Sequence, residues 1–518
     1  MVNMDRRTFG RSLLGLGFGA ALMGTTSACT SAGTGSSGGG STGSKTLTLA
    51  VDQEIASLDP AKQQSGSSVV QVWQACFDTL LRYEADGSIS PNAAESFTFN
   101  KEKTELTLKL RQGMKFTDGT AVDAQAVKAS LEHMKSGGGS DASRLAGVTV
   151  TVKDAATVVL TTQKPTGLLP TFLCLAPGIL ASTASLKASD RDTRPVGSGP
   201  YKLDAAATTS GSTYTFVRNP DYWNKAAYPY DKVVIRQMTD ITARLNALKS
   251  GQVNAGLISS QTKTEAQSSG LTVLQNSVNW AGLFLSDQQG KVIPALKDVR
   301  VRRAINMVFD RPAILKSLFQ GNGTATNQIF NNKSDAYLPG LLDYYAYDVA
   351  KAKALMKEAG YEKGFSFDLP AITGLDFANP IIVQQLALLN IKANQVKIAG
   401  NQVITALFSG KYPIFYFALE SRSALWDIVQ AVAPDAIWNL NKVSDPRLQP
   451  LVEKAQLLSG AAEKANARAI NTFLVEQAWF CPWVLPANLY ATDKSVTAQP
   501  FLGSAAPYVQ SFKPAASA

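Results

Sequence analysis

The residues that could carry out chemistry in this sequence are few, because the chain contains a single histidine, His133, and four cysteines. Nucleophilic catalysis needs a base beside its nucleophile, and zinc-type metal centres draw on several imidazole or thiolate ligands. His133 lies on a predicted helix but off its apolar stripe, which indicates a solvated surface histidine. No G-x-S-x-G elbow follows a predicted strand, and no CxxC spacing occurs. The sequence therefore predicts no enzyme, no cofactor and no metal site.

Three of the cysteines lie among apolar residues, namely Cys76, Cys174 and Cys481. An odd number of thiols allows one disulfide at most, even in an exported chain. Their apolar surroundings favour buried free thiols.

The start of the chain has the features of an export signal. Arg6 and Arg7 precede Phe9, and the apolar stretch from Leu13 to Met23 is too short to span a bilayer. The arginine pair resembles the signal of the bacterial twin-arginine route. Ser27-Ala28-Cys29 resembles the end of a lipoprotein box, in which Cys29 would be acylated, although Thr26 departs from the usual leucine. The alternative is an ordinary signal peptide that is cut nearby, with Cys29 lost.

The remainder of the chain has a globular composition. Its 518 residues are 45% hydrophobic and 17% charged, which excludes global disorder and predicts more than one core. The net charge is +10, but the basic residues are spread out, so a nucleic-acid-binding arm is not indicated. Residues 29–44 are rich in Ser and Gly and read as a flexible tether. Beyond the signal no apolar run is long enough to span a membrane.

Strand and helix patterns alternate from residue 46 onwards. Residues 106–110 and 148–152 alternate in polarity as half-buried strands do, and Asp123 is placed to cap a helix over residues 124–134. The second half has helices behind Asp298 and Asp348, the latter closed by Gly360. Further strands are expected at residues 365–369, 396–398 and 413–419, and further helices at 381–389 and 404–408. This alternation predicts an α/β lobe with a largely parallel sheet.

Five stretches, in this order and spacing, resemble the oligopeptide, dipeptide and nickel-binding family of solute-binding proteins of ABC importers, the bacterial extracellular solute-binding protein family 5. They are Ala94–Phe97 with Leu106–Thr120, Pro195–Leu203, Asn219–Asn224 with Arg244–Gly251, Asp298–Asn306 with Asp310–Arg311, and Lys351–Tyr361. Each also has a plain structural role as a turn, a cap or a core contact, so together they indicate the fold and not the ligand.

The resemblance implies an α/β fold of the two-lobed periplasmic-binding-protein type, class II-like, with an extra domain inserted in lobe I. Carried onto this chain, the expected order is signal peptide 1–28, tether 29–44, lobe I 45–65, inserted domain 66–190, lobe I 191–290, lobe II 291–483 and lobe I 484–518.

The resemblance also implies that a ligand lies between the lobes, against residues 66–70, 279–285 and 415–427. Peptide binders of the family hold the free amine with an aspartate that follows a tryptophan, and this chain does not reproduce that pattern. Glu420 or Asp427 could take the amine, whereas Arg422 could grip a carboxylate. Large apolar faces would come from Trp280, Phe284, Tyr416, Phe417 and Trp426, each of which could instead belong to a core.

The function expected from the resemblance is that of an exported, lipid-anchored protein on the extracytoplasmic face of the membrane. It would capture a peptide or peptide-like polar solute and deliver it, as a monomer, to the permease of an ABC importer. The alternatives are an exported interaction protein, sensor or chaperone-like protein on the same fold, or a binder of a non-peptide solute such as a chelated metal or a sugar. A largely enclosed cavity between the lobes would favour solute capture.

Overall fold

The computed structural model describes residues 45–139, 141–399 and 402–515. The predicted export residues Arg6 and Arg7, the predicted acylation site Cys29 and the tether up to residue 44 lie outside this part of the chain. Within the described part, no helix is both long enough and apolar enough to cross a membrane.

The helices of the described residues are mostly short. They are α1 (Val70–Cys76), α2 (Ala124–Ser136), α3 (Leu169–Leu173), α4 (Thr183–Lys187), α5 (Ile241–Lys249), α6 (Lys263–Ser268), α7 (Val299–Met307), α8 (Arg311–Phe319), α9 (Val349–Glu358), α10 (Asn379–Ala387), α11 (Val403–Phe408), α12 (Ala424–Asp427), α13 (Gln449–Ala455) and α14 (Gly460–Glu476).

The strands form one large sheet and several small ones. They are β1 (Thr46–Val51), β2 (Leu81–Tyr83), β3 (Ile89–Pro91), β4 (Ala94–Phe99), β5 (Glu105–Leu110), β6 (Thr149–Asp154), β7 (Thr157–Thr161), β8 (Tyr201–Leu203), β9 (Thr213–Arg218), β10 (Lys232–Gln237), β11 (Ala255–Ile258), β12 (Thr272–Ser277), β13 (Asn279–Leu285), β14 (Gly323–Ala325), β15 (Ser366–Ile372), β16 (Lys392–Ile398), β17 (Ile414–Glu420), β18 (Phe480–Thr492), β19 (Val496–Thr497) and β20 (Lys513–Pro514).

The first lobe is built around β1, which pairs in parallel with β10 and β11. A separate antiparallel sheet in the order β4-β5-β7-β6 carries helix α2, whose first turn is capped by Asp123 as predicted. The apolar faces of both sheets belong to one continuous buried cluster. The chain between β1 and β8 therefore adds a layer to the first lobe without a separate core.

Within the described residues, two strand crossings join the lobes. The long strand β18 pairs with β13 through its first residues and with β11 and β12 through its last. The other crossing is the step from β12 to β13 at Val278, after which β13 pairs with β17. This pairing favours a boundary of the second lobe near Val278 and not at residue 290.

The second lobe confirms the predicted helices but not the predicted direction of its strands. Asp298 and Asp348 cap α7 and α9, and Gly360 follows α9 with a φ of 81°. Only β15 and β16 pair in parallel there among the described strands, whereas β13 pairs antiparallel with β17 and with β18. The expectation of a largely parallel sheet is wrong because β13 and β18 enter this lobe as extensions of first-lobe strands and not through strand–helix–strand units.

The prediction that His133 is a solvated surface residue is wrong. Its side chain is 18% exposed, and Nε2 lies 2.6 Å from the Asp59 carboxylate. His133 is therefore a packed residue of the first lobe. Cys76, Cys174 and Cys481 are buried and free, as predicted.

Candidate functional site

A cavity of about 350 Å³ lies where the two lobes meet. It is lined by Asp52, Gln53, Gly66, Ser67, Ser68, Leu257, Val278, Asn279, Glu420, Asn488 and Ala505. All three segments that the resemblance assigned to a ligand wall contribute to this lining. The volume lies at the small end of the range for small-molecule sites, which is about 300–1,000 Å³.

Strand ends position the polar groups of the cavity. Asp52 directly follows β1, and Glu420 is the last residue of β17, where it is paired in register with Asn279 at the start of β13. The Ser68 hydroxyl donates to the Asp52 carboxylate, and the Asp52 amide donates to Ser68 Oγ at 3.2 Å. Because strands hold their ends rigidly, the first lobe presents Asp52 and the second presents Glu420 to one space.

The charge of the lining is acidic. Asp52 and Glu420 are its charged residues, and Lys, Arg and His are absent from the lining residues. Asn279, Asn488 and the two serines add amide and hydroxyl groups. Two carboxylates with uncharged polar neighbours suit a cationic group that donates hydrogen bonds, such as an ammonium.

Arg422 lies behind Glu420 and is itself fully buried. Its Nε is 2.6 Å from Glu420 Oε1, and its Nη2 donates to the carbonyl of Ser65 in the first lobe at 3.0 Å. Burial alone would lower the pKa of Arg422, but Glu420, Tyr508 and Tyr83 together outweigh burial and raise it. Arg422 therefore stays charged, orients Glu420 and bridges the lobes, and the expected direct grip on a carboxylate is not formed by this arrangement.

Two of the predicted aromatic wall residues lie inside the second lobe. Trp280 stacks on Phe284 with ring centres 5.0 Å apart, and Phe284 stacks on Phe415 at 4.8 Å. Trp280 and Phe284 have no exposed surface. They support β13 from within the core, which is the alternative that the sequence left open.

Of the other aromatic candidates, Tyr416 and Phe417 lie on opposite faces of β17, and Trp426 lies on α12. Tyr416 stacks on Trp483 on the face opposite Trp280, because alternate residues of a strand point to opposite faces. Phe417 is half-buried against Trp438. Trp426 is buried, with the guanidinium of Arg144 at 4.6 Å and that of Arg422 at 5.4 Å from its ring centre. Trp426 thus contacts the Arg422 group without lining the cavity.

Asp427 is buried inside the second lobe and does not line the cavity. Its carboxylate accepts a 2.7 Å hydrogen bond from the Ser421 hydroxyl, and the residue is 1% exposed. Burial raises the pKa of Asp427 well above its ordinary value. Of the two acidic candidates for an amine, the structure brings Glu420 to the cavity and keeps Asp427 in the protein interior.

The sequence interpretation did not name Asp52 or Asn488, and it included Ser68 only as part of the segment 66–70. A signal existed for Asp52, since polar residues directly after a buried strand often face a ligand site in α/β proteins. Asn488 lies inside β18 and gave no local signal. Among the described residues, no group of three or more His, Cys, Asp or Glu side chains is placed to hold a metal ion.

Comparison with protein families decides which proteins this chain is related to. Residues 88–422 match the family described as bacterial extracellular solute-binding proteins, family 5, middle region. The chain belongs to this family. Family 5 proteins are extracytoplasmic solute-binding components of ABC importers.

Individual relatives of this family 5 protein cover nearly its whole length. The glutathione-binding protein GsiB of Escherichia coli K12 is 25% identical in an alignment of 523 positions, gaps included, that covers 95% of this chain and 96% of GsiB. AgaA from A. tumefaciens R10, solved with agropinic acid, is 26% identical with a TM-score of 0.72 over 91% of this chain and 99% of AgaA. NikA from Brucella suis, solved with Fe(III)-EDTA, is 20% identical with a TM-score of 0.74 over 90% and 99%, and this likeness concerns the fold alone. The two-lobed α/β fold expected from the sequence is therefore confirmed.

Proposed function

We propose that this family 5 protein captures a small, amine-bearing, peptide-like polar solute in the cavity between its lobes and delivers it to an ABC importer. The observation that carries this proposal is the position of Asp52 and Glu420 on one 350 Å³ cavity, one from each lobe. A ligand ammonium between two carboxylates would gain charge-assisted hydrogen bonds from both lobes at once.

The rival proposal of an interaction protein on the same fold is less well supported. Such a protein would bind its partner through an exposed apolar patch, whereas the acidic cavity is a concave space with polar walls. Non-peptide solutes remain the second candidate class, and AgaA with agropinic acid and NikA with Fe(III)-EDTA illustrate it. Catalysis is not part of the proposal, since the lone His133 is engaged with Asp59.

Export and anchoring complete the proposal. Arg6 and Arg7 would direct export, and acylation of Cys29 would hold the mature chain at the extracytoplasmic face through the tether of residues 30–44. A solute-binding protein held near the membrane meets its permease more often than a free one, because tethering raises the effective concentration.

Native mass spectrometry of protein purified from its own host tests the capture of a solute. We expect the wild-type protein to carry a small molecule with an amine, and Glu420→Gln to be recovered without it. The matched control is Glu358→Gln, an exposed glutamate of α9 in the same lobe and outside this cavity, which should retain the molecule. Recovery of the same molecule at equal occupancy on wild type and Glu420→Gln would contradict the proposed site.

A further inference from the structure

A second cavity lies between residues of the two lobes. It measures about 440 Å³, and its wall includes Lys333 and Asp335 of the second lobe and Asp86 of the β2–β3 hairpin. Ser423 and Ala424 line this second cavity, whereas Glu420 lines the first. In the second lobe, Arg422 therefore lies between the residues that face the two cavities.

The opposite wall shows the same division. Leu502 lines the second cavity and Ala505 lines the first, with Gly503 between them. Gly503 has a φ of 67°, and a Cβ atom added there would lie 2.3 Å from Cγ of Arg422. The side chain of Arg422 thus packs directly on the backbone of Gly503, and each of these two residues stands in its segment between a residue that faces the first cavity and one that faces the second.

The guanidinium of Arg422 has fewer hydrogen-bond partners than that of Arg311, another buried arginine of the same lobe. Arg311 donates from Nε to the carbonyls of Thr326 and Pro482, and from Nη1 and Nη2 to Asn306. Arg422 donates from Nη2 to Ser65, while its Nη1 is buried without a partner.

The hydroxyls of Tyr83 and Tyr508 are likewise buried without a partner. Burial raises the pKa of both tyrosines, and the charge of Arg422 opposes part of that rise. An unpaired buried donor costs about 1–3 kcal/mol, which the ion pair with Glu420 and the hydrogen bond to Ser65 have to offset.

We propose that Arg422 determines ligand length by closing the inner end of the acidic cavity. The inference rests on the proposed capture of an amine-bearing solute, since it states how large that solute can be. With Arg422 seated on Gly503, a ligand whose ammonium meets Glu420 and Asp52 has only the cavity of about 350 Å³ available. A longer chain of the same chemistry would have to displace the guanidinium from Ser65 and from Glu420.

The residues of the second cavity suit the part of a longer ligand that would extend beyond the first cavity. Its lining contains acidic and basic groups together, including Lys333 and the Lys464–Asp335 ion pair at 2.6 Å. The ammonium of Lys333 donates to Asn276 Oδ1 at 3.2 Å and forms no ion pair within the described residues, so it suits the terminal carboxylate of a longer peptide. Removing the side chain of Arg422 should therefore create one continuous site for an extended zwitterionic chain.

Binding of dialanine and pentaalanine, measured by titration calorimetry, tests this inference. We expect the wild-type protein to bind dialanine at least tenfold more tightly than pentaalanine. In Arg422→Ala, pentaalanine should gain at least tenfold relative to dialanine. Arg422→Lys keeps a long cation in place and should retain the preference for dialanine. Arg447→Ala removes an exposed arginine of the same lobe and is the matched control, with wild-type behaviour expected.

Gly503→Ala is a second route to the same result and covers the case in which Arg422→Ala does not fold. Its methyl group would occupy the place of Arg422 Cγ and evict the side chain while the charge remains in the protein. It too should shift the preference towards pentaalanine. An unchanged ratio of the two affinities in folded Arg422→Ala or Gly503→Ala overturns the inference, as does a wild-type protein that already binds pentaalanine as tightly as dialanine.

Failure of the proposed function gives a different pattern. If neither alanine peptide binds wild type or any variant, the peptide-like ligand is wrong, and the inference falls with it. If dialanine binds and its affinity depends on Glu420 while the length ratio stays constant, the proposed function stands and the role of Arg422 in determining ligand length is wrong.

Discussion

His133 Nε2 lies 2.6 Å from the carboxylate of Asp59, and this contact joins helix α2 to the segment that follows β1. Arg191 Nε and the amide of Ala61 donate to the same carboxylate at 2.9 and 3.0 Å. Burial alone would raise the pKa of Asp59, but the hydrogen bonds from His133, Ala61 and Arg191 outweigh burial and lower it. A buried carboxylate with three donors thus holds the added layer of the first lobe to β1.

Replacing this carboxylate should destabilise the first lobe. We expect Asp59→Asn to lower the free energy of unfolding by about 1–3 kcal/mol at pH 7, because the two basic partners lose a buried anion. A lowered pKa contributes stability that is present above the ordinary pKa of an aspartate and is lost as the pH falls through the lower value of the folded state. The loss caused by the substitution should therefore shrink between pH 5 and pH 2. Urea denaturation measures it, and exposed Asp190→Asn should differ from wild type by less than about 0.5 kcal/mol.

Asp78 should give the opposite pH dependence. Burial raises its pKa to about 7, although Tyr222 donates a 2.9 Å hydrogen bond to the carboxylate. The folded protein then retains a proton that the unfolded chain releases above about pH 4, so stability falls as the pH rises from about 4 to 7. Asp78→Asn, which is neutral throughout, should flatten this part of the stability profile.

Urea denaturation at pH 4.5 and pH 7.5 measures the effect at Asp78. The matched control is Asp221→Asn, an exposed carboxylate beside Tyr222, which should keep the wild-type slope. Equal slopes for wild type and Asp78→Asn would mean that the folded protein does not raise the pKa of Asp78.

Glu420 and Asp427 should respond differently to removal of their charge. With the solute that native mass spectrometry identifies, we expect Glu420→Gln to weaken binding at least about 30-fold, or about 2 kcal/mol, because a desolvated ligand charge loses its partner. Asp427→Asn should bind within about threefold of wild type, since that side chain bonds to Ser421 inside the lobe. Titration calorimetry decides between them, and a larger loss in Asp427→Asn would show that the ligand reaches deeper than the cavity.

The lobes should close when solute binds. They are joined at Val278 and through β18, and two strand crossings permit rotation with little loss of core packing. A solute that contacts both Asp52 and Glu420 gains its full set of interactions only when the lobes are together. Small-angle scattering should show a decrease in the radius of gyration on addition of the solute to stripped protein, and an unchanged radius at saturation would argue for a rigid molecule.

Export and anchoring should depend on separate residues of the N-terminal segment. Replacing Arg6 and Arg7 with lysine should leave the protein in the cytoplasm, because the pair is the address of the twin-arginine route. Cys29→Ala should be exported but released from membranes. Cell fractionation followed by immunoblotting measures both results. If Cys29→Ala remains membrane-bound after a high-salt wash, Cys29 is not the anchor.

Local features of this fold were predictable because their causes are local. A helix cap needs a short polar side chain next to an amphipathic stretch, so Asp123, Asp298 and Asp348 could be identified within a few residues of sequence. The same holds for Gly360, whose left-handed conformation ends α9. The motifs that indicated family 5 are also local turns and core contacts, and their order along the chain carried the information on the fold.

The site depended on contacts that no sequence window contains. His133 looked like a surface residue because its partner Asp59 is 74 positions away. Arg422 looked like a ligand contact because Ser65, whose carbonyl accepts a hydrogen bond from it, is 357 positions away. Strand direction in the second lobe followed from β18 crossing between the lobes, which alternation of helix and strand does not encode. Residue types thus determined which groups were available for a polar ligand. Only the packing of the two lobes decided that Glu420 faces the cavity and that Asp427 and Trp280 do not. It also decided that Arg422 lies behind Glu420 and against Gly503.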